Sequence, residues 1–414
     1  MRLIYDLGIR LYGLLILLVS PVNAKAGQWV RGRKGLMKRL KSTIDPALPL
    51  IWFHCSSLGE FEQGRPLIES IRKREPDRKI LLTFYSPSGF EIRKNYTGAD
   101  YIFYLPLDTR RNANRFFSLL NIEKAYFIKY EFWYHLLTRL KAKNIPAYLV
   151  SGIFRKKQVF FRPWGKWFIR ILHCFDHLFV QQQSSLDLLA SIGIRNVSLA
   201  GDTRFDRVHA IVQGIKKDPG FTAFTGSIPT IIAGSTWPQD EELLVRYINH
   251  TDRKIKWIIA PHEIHESGIT RLAGQIQQRS QRYTTLTDSE LQQTDVIIVD
   301  TIGILSSLYQ YGKVAYIGGG FGKGIHNTLE AATFGLPVIF GPKYQKFQEA
   351  VDLVATGAAF PVHDYEAFES ILSSLLDDPE FLSTSGESAR NLVLANLGAT
   401  EKILELTFYQ PEST

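Results

Sequence analysis

Two glutamates stand just beyond apolar runs. Leu50 to His54 leads into Cys55-Ser56-Ser57-Leu58-Gly59-Glu60-Phe61, and Ala125 to Ile128 leads into Lys129-Tyr130-Glu131-Phe132-Trp133. If both runs are strands of one parallel sheet, both acids fall at its C-terminal edge, where open α/β folds bind ligands. A carboxylate placed there can take the proton of an attacking hydroxyl as general base, provided burial raises its pKa toward neutrality. The plainer alternative is that Glu60 only complements the dipole of the helix it begins.

A third constellation suits an anion. The apolar run Val314 to Ile317 enters Gly318-Gly319-Gly320-Phe321-Gly322-Lys323-Gly324-Ile325-His326-Asn327-Thr328-Leu329-Glu330, with a helix expected from Thr328 to Phe334. Successive glycines let backbone N–H groups approach a phosphate, and the start of a helix favours negative charge. The spacing is not the Gly-x-Gly-x-x-Gly of dinucleotide folds, and the loop lies in the last third of the chain, so a nucleotide held by a C-terminal domain fits better. Nothing in the pattern demands a metal. Asn327 and Glu330 also stand at N-cap and N3 spacing and could simply cap the helix.

Positioning these groups requires sheets. Strands are expected near Ile51 to His54, Ile80 to Phe84, Tyr101 to Tyr104, Ala125 to Ile128, Ala147 to Val150 and His177 to Val180. A second series covers Thr230 to Ala233, Trp257 to Ala260, Val296 to Val299, Val314 to Ile317 and Pro337 to Phe340, with amphipathic helical stretches between strands throughout. That alternation is the pattern of parallel sheets covered by helices. With 414 residues, 45% of them hydrophobic, there is material for two cores. The expected division is a membrane-anchor helix at 1–22, an N-terminal Rossmann-like domain at 23–215, a C-terminal one at 225–395 and a terminal helix at 396–414, which could pack back on the first domain. The join is expected in the polar stretch Asp206 to Ile228, with Pro219, Gly220 and Gly226.

Leu3 to Val19 is apolar apart from Tyr5, Asp6, Arg10, Tyr12 and two glycines. A spanning helix needs about 20 apolar residues, so a helix embedded in one leaflet fits better. A cleaved signal is the rival, but Asp6 disturbs the leading region, and Arg31, Arg33, Lys34, Lys38, Arg39 and Lys41 are unusual just after a cleavage site. Those cations suit the cytoplasmic face of an anionic membrane. The net charge is +9, and a second cationic cluster, Arg155, Lys156, Lys157 and Arg162, is interleaved with Phe154, Phe160, Phe161, Trp164, Trp167 and Phe168. This mixture suits a bilayer boundary or a phosphorylated lipid; nucleic acid is the competing partner, and the adjacent membrane signals favour lipid. Two isolated cysteines, Cys55 and Cys174, exclude a disulfide scaffold and a structural zinc site.

Together with Gly201-Asp202-Thr203-Arg204-Phe205-Asp206, Gly234-Ser235-Thr236 and Asp300-Thr301-Ile302-Gly303, the segments around Glu60, Glu131 and Asn327 occur in the order found in Kdo transferases, the 3-deoxy-D-manno-octulosonic acid transferases of lipid A biosynthesis. The chain resembles that family over nearly its whole length. The resemblance implies a GT-B glycosyltransferase, two Rossmann-like domains facing across a cleft, at the cytoplasmic side of the inner membrane. It implies metal-independent, inverting transfer from CMP-Kdo to a lipid A precursor, with no cofactor beyond the donor. The residue matching the family's base is Glu60; Glu131 and Arg204 match transition-state stabilisers, the latter usually Lys. Nucleotide contacts are implied for Ser235, Thr236, Pro261, His262, Ile302, Gly303, Ile304, Gly320, Asn327, Thr328, Leu329 and Glu330. Pro261-His262-Glu263 stands where the family usually has Pro-Arg-His, Ile304 where it often has Glu, and Ile325 in place of a second glycine before the histidine. The rival readings are a UDP-sugar transferase or epimerase of the same fold, and a non-catalytic membrane lipid-binding protein.

Overall fold

The computed structural model describes residues 1–408 of the chain, so the end of the expected terminal segment, 409–414, lies outside the described residues. The fold divides into two compact units, Met1–Arg207 with Leu397–Thr414, and Val208–Asn396. The division falls inside the helix Thr203–Gly214, and a further helix, Pro219–Thr225, follows it. The stretch expected to be a polar join is therefore largely helical. Asp218 explains part of this, since its carboxylate caps the second helix through the amides of Gly220 and Phe221 while Pro219 opens it.

The first unit begins with three helices, α1 (Arg2–Val19), α2 (Ala24–Arg33) and α3 (Leu36–Thr43), before its first strand. Its sheet comprises β1 (Pro49–Cys55), β2 (Lys79–Phe84), β3 (Tyr101–Tyr104), β4 (Asn121–Ile128), β5 (Ala147–Gly152), β6 (His177–Val180) and β7 (Val197–Leu199), in the spatial order β3-β2-β1-β4-β5-β6-β7. Every pairing is parallel. Side chains alternate across this sheet: Leu50 and Trp52 pack into one core layer, Ile51, Phe53 and Cys55 into the other. Cys55 is fully buried there, and burial pushes its thiol pKa well up, as for a small core hydrophobe. The terminal helix Ala399–Thr407 closes the second layer with Ile403 and Leu404, and Asp206 caps it through the amides of Gly398 and Thr400, both at 2.7 Å.

In the second unit the strands are β8 (Thr230–Thr236), β9 (Lys256–Pro261), β10 (Ser280–Arg282), β11 (Val296–Ile298), β12 (Val314–Ile317), β13 (Val338–Phe340) and β14 (Ala359–Pro361), again all parallel, in the order β10-β11-β9-β8-β12-β13-β14. The strands that the hydrophobic pattern does not announce are β7, β10 and β14. Each has three residues and lies at a sheet edge, where short, partly polar strands are the rule.

The strand order locates the ligand-binding crevices. Where neighbouring strands send their connections in opposite directions, a cleft opens at their C-terminal ends. In the first unit this happens between β1 and β4, in the second between β8 and β12.

Candidate active site

Glu60 follows β1 and Glu131 follows β4, so the two acids flank the switch point of the first unit. Glu60 lies in the first turn of α4 (Leu58–Arg74), and its carboxylate accepts the Ser56 N–H. It does complement its own helix start, as the plain reading holds. Yet burial, followed by the nearby charge of Glu131, outweighs the amides of Ser56 and Ser57 and the ammonium of Lys129, and pushes its pKa up to about 8.

Glu131 is only 6% exposed and held from two sides. His54 Nε2 lies 2.8 Å from it, and the Trp133 indole N–H donates to it at 2.6 Å. With His54 Nε2–H donating to the carboxylate, Nδ1 accepts from the Thr83 hydroxyl at 2.9 Å, and that oxygen in turn accepts the Trp52 indole N–H at 2.8 Å. His54 and Thr83 are fully buried. The chain orients one carboxylate through four side chains. Backbone strain contributes as well. Lys129 adopts φ +70°, which turns the chain off β4 just before Glu131.

Arg204 belongs to the same unit. Its Nε and Nη2 donate to Asp202 at 2.9 and 2.6 Å, and Asp202 is approached by Gln63 of α4 at 3.4 Å. Gln63 stands one turn after Glu60, so α4 carries the base candidate and abuts the pair that holds the cation. Of the cationic cluster, Arg155, Lys156, Lys157 and Arg162 are exposed, and Arg155 lines a cavity of about 410 Å³ with Tyr130, Phe132 and Tyr5. The aromatics between them are not a bilayer-facing surface. Phe154 and Phe160 are core, Phe161, Trp167 and Phe168 pack against it, and only Trp164 is well exposed, at 62%. Their spacing fits no single helix because two short 3-10 turns, Val159–Phe161 and Pro163–Gly165, precede the helix Lys166–Leu172.

The switch point of the second unit is built differently. Ser235 sits in a bulge of β8 at φ +54°, and its carbonyl would lie 2.3 Å from a Cβ added to Gly318. Gly320 meets the backbone of Gly341 in the same way, at 2.6 Å. These glycines are required by backbone packed on backbone. The expectation of a loop with amides free for phosphate needs correction. The N–H groups of Gly318, Gly319, Gly322, Gly324 and His326 donate to Gly234, Asp240, Gly319, Gly319 and Gly318. The anion at the glycines is the chain's own Asp240, 1% exposed, which also accepts the Tyr316 hydroxyl at 2.8 Å and the Trp237 N–H at 2.9 Å. The helix expected over Thr328 to Phe334 is the short Leu329–Thr333, so its dipole is small.

The remaining candidates surround this core. The Asn327 side chain bonds the Leu329 N–H at 3.1 Å and Glu330 at 2.9 Å, and Glu330 also accepts from Ser306 at 2.6 Å. The capping alternative thus holds in part. Thr328 is fully buried, and its hydroxyl makes no hydrogen bond among the described residues; Leu329 beside it is buried too. Thr236 donates to Glu241 at 3.3 Å. Pro261 ends β9, and His262 stacks between Trp237 and His326, with centroids at 4.8 and 4.2 Å. Trp237 donates its indole N–H to His326 Nε2 at 3.0 Å, and burial, then His262, lowers the His326 pKa to about 4. Gly303 takes φ +97° between Ile302, 88% exposed, and the partly buried Ile304.

Sequence reasoning singled out neither His54, Asp240 nor Trp237. Asp240 had a signal, since it stands three residues after Trp237 with Pro238 between, the spacing of a helix start.

Residues 29–207 match the family described as 3-deoxy-D-manno-octulosonic-acid transferase (kdotransferase). The 3-deoxy-D-manno-octulosonic acid transferase of Aquifex aeolicus is 28% identical over 344 residues, covering 81% of this chain and 88% of the relative. The chain is a glycosyltransferase similar to the Kdo transferases. Its fold is shared more widely. The UDP-GlcNAc 2-epimerase of Neisseria meningitidis superposes with a TM-score of 0.61 at 13% identity over 86% of this chain and 99% of that one. Acinetobacter baumannii MurG does so at 0.56 and 10%, over 87% and 99%. These likenesses concern architecture, and they place the chain among GT-B folds, two Rossmann-like domains in one chain.

Proposed function

We propose that this protein transfers Kdo from CMP-Kdo to the 6′-hydroxyl of a lipid A precursor, in lipopolysaccharide biosynthesis, with inversion and without a metal. Glu60 takes the hydroxyl proton as the oxygen attacks. The observation that carries this reading is one carboxyl, at a sheet switch point, with its pKa raised to about 8 by burial and by Glu131. A group so tuned is a far stronger base than an ordinary glutamate, and one still available near neutral pH. Glu131, fixed by His54 and Trp133, and Arg204, fixed by Asp202, stabilise charge developing in the transition state. The donor nucleotide occupies the second unit's switch point: Glu330 binds the ribose, the unpartnered Thr328 hydroxyl offers a contact, and the His262–His326 stack supplies a surface in place of the family's arginine. Because the glycine amides are largely spent, the phosphate depends on the few left unbonded and on a cation.

The membrane reading has its own support. α1 exposes Leu3, Ile4, Leu7, Leu11, Leu14 and Leu18 on its outer face, while Tyr5 donates to Asp108 at 2.5 Å and Asp6 pairs with His135 on its inner one. No single helix among the described residues is long and apolar enough to cross a membrane. We infer that α1 lies in the cytoplasmic leaflet of the inner membrane with its leucines in the acyl region.

The test is a donor screen with purified protein and a tetraacylated disaccharide bisphosphate, read by mass spectrometry of the product. Kdo addition from CMP-Kdo, lost in Glu60→Gln while CMP-Kdo still binds, supports the assignment. Transfer from UDP-sugars alone, or wild-type turnover by Glu60→Gln, rejects it.

A further inference from the structure

A cavity of about 740 Å³ in the first unit lies between α1, α2, α3 and the helix Arg110–Leu119. It shares no lining residue with the cavity beside Glu131. Among the described residues its lining has five cations and no carboxylate. Arg33 is structural, since it donates to the carbonyls of Leu105, Trp29 and Tyr85 and stacks on three aromatic rings. The other four, Arg10, Lys34, Lys38 and Arg115, come from three separate stretches of chain, and none has an ion pair among the described residues. Cations gathered without counter-charge repel one another, so the arrangement is at its best with an anion present. The walls between them are apolar, formed by Leu14, Leu17, Met37 and Leu107. Leu14 and Leu17 are also 51% and 53% exposed, so the cavity rim continues into the outer apolar face of α1.

We propose that this cavity binds one anionic glycerophospholipid of the surrounding bilayer, its phosphate among Arg10, Lys34, Lys38 and Arg115 and an acyl chain along the α1 leucines. The volume is within the range of about 300–1,000 Å³ usual for small-molecule sites. The chemistry is complementary on both counts, charge at one end and apolar surface at the other. The proposal rests on the membrane seating of α1 and is independent of the transfer reaction.

Native mass spectrometry of the detergent-solubilised full chain, titrated with phosphatidylglycerol or phosphatidylcholine, tests it. We expect one phosphatidylglycerol retained per chain and no matching phosphatidylcholine adduct. Lys38→Ala with Arg115→Ala removes two cavity cations and should weaken retention about twenty-fivefold, at about fivefold per cation. Arg31→Ala with Lys41→Ala removes the same charge from exposed positions outside the cavity and should leave retention unchanged. Equal retention of both lipids, equal loss in both double variants, or displacement of phosphatidylglycerol by one equivalent of the lipid acceptor would overturn the proposal. Flotation with vesicles separates this from the seating of α1. Flotation without a specific adduct defeats the cavity alone, and an adduct without flotation defeats the seating alone.

Discussion

The two switch points have the same topology and opposite materials. Around β1 and β4 the edge is made of ionisable side chains: Glu60 raised to about 8, Glu131 beside it, and His54 behind. Around β8 and β12 it is made of backbone and rings. Gly318 and Gly320 press against Ser235 and Gly341, Asp240 is buried among its donors, and His326 is kept neutral with a pKa lowered to about 4. On the proposed reading one edge moves a proton and the other holds a shape. Strain marks both, since Lys129, Ser151 and Ser235 all take positive φ at the C-terminal ends of β4, β5 and β8.

The sharpest way to break this contrast is Glu60→Gln. Removal of a general base costs on the order of 10² to 10⁴ in rate, so kcat should fall by that much while the calorimetric affinity for CMP-Kdo stays put. If affinity falls and turnover does not, the first edge is a binding surface like the second. Next comes Gly318→Ala. Its Cβ would sit 2.3 Å from the Ser235 carbonyl, where the backbone has no room to yield. Overpacking of this kind costs about 1–3 kcal/mol, to be read as a lower denaturation midpoint. An unchanged midpoint would mean that the second edge is pliable.

The pH dependence sharpens the contrast further. Turnover that needs ionised Glu60 should rise with pH through about 8 in kcat/KM. Glu131→Gln removes the second contributor to that elevation, so the limb should move to lower pH even as kcat drops. An unmoved limb would show that the two carboxylates do not sense one another. Stability should run the other way. A folded-state pKa raised from 4.5 to about 8 contributes stability that is fully present below pH 4.5 and lost as pH rises through 8. Thermal scans of wild type should therefore decline relative to Glu60→Gln across that window. The smallest effect belongs to α1. Tyr5→Phe deletes one hydroxyl that donates to Asp108 and accepts the Tyr134 N–H at 3.2 Å, worth about 1 kcal/mol. No loss in chemical denaturation would mean that α1 is tied to the unit by its other contacts.

The chain alone determined the class of fold, because long alternations of apolar strands and amphipathic helices leave parallel sheets as the economical solution. It also determined the acids at strand ends, since a strand that stops before a polar residue puts that residue at the sheet edge whatever the strand order. Topology was not readable. That β1 lies next to β4, and β8 next to β12, follows from contacts far apart in sequence, and only this adjacency brings Glu131 within Coulombic reach of Glu60. The same holds for His54, which reads as the last residue of an apolar strand until Thr83 and Glu131 are found on either side of its ring. The glycine loop gives the reverse lesson. Its composition fits a phosphate seat and a tight packing site equally well, and the decision rested with Asp240, 79 residues from the amide it accepts. Local chemistry is written in neighbouring residues; whether an amide or a carboxylate is free for a ligand depends on what the folded chain has already bonded to it.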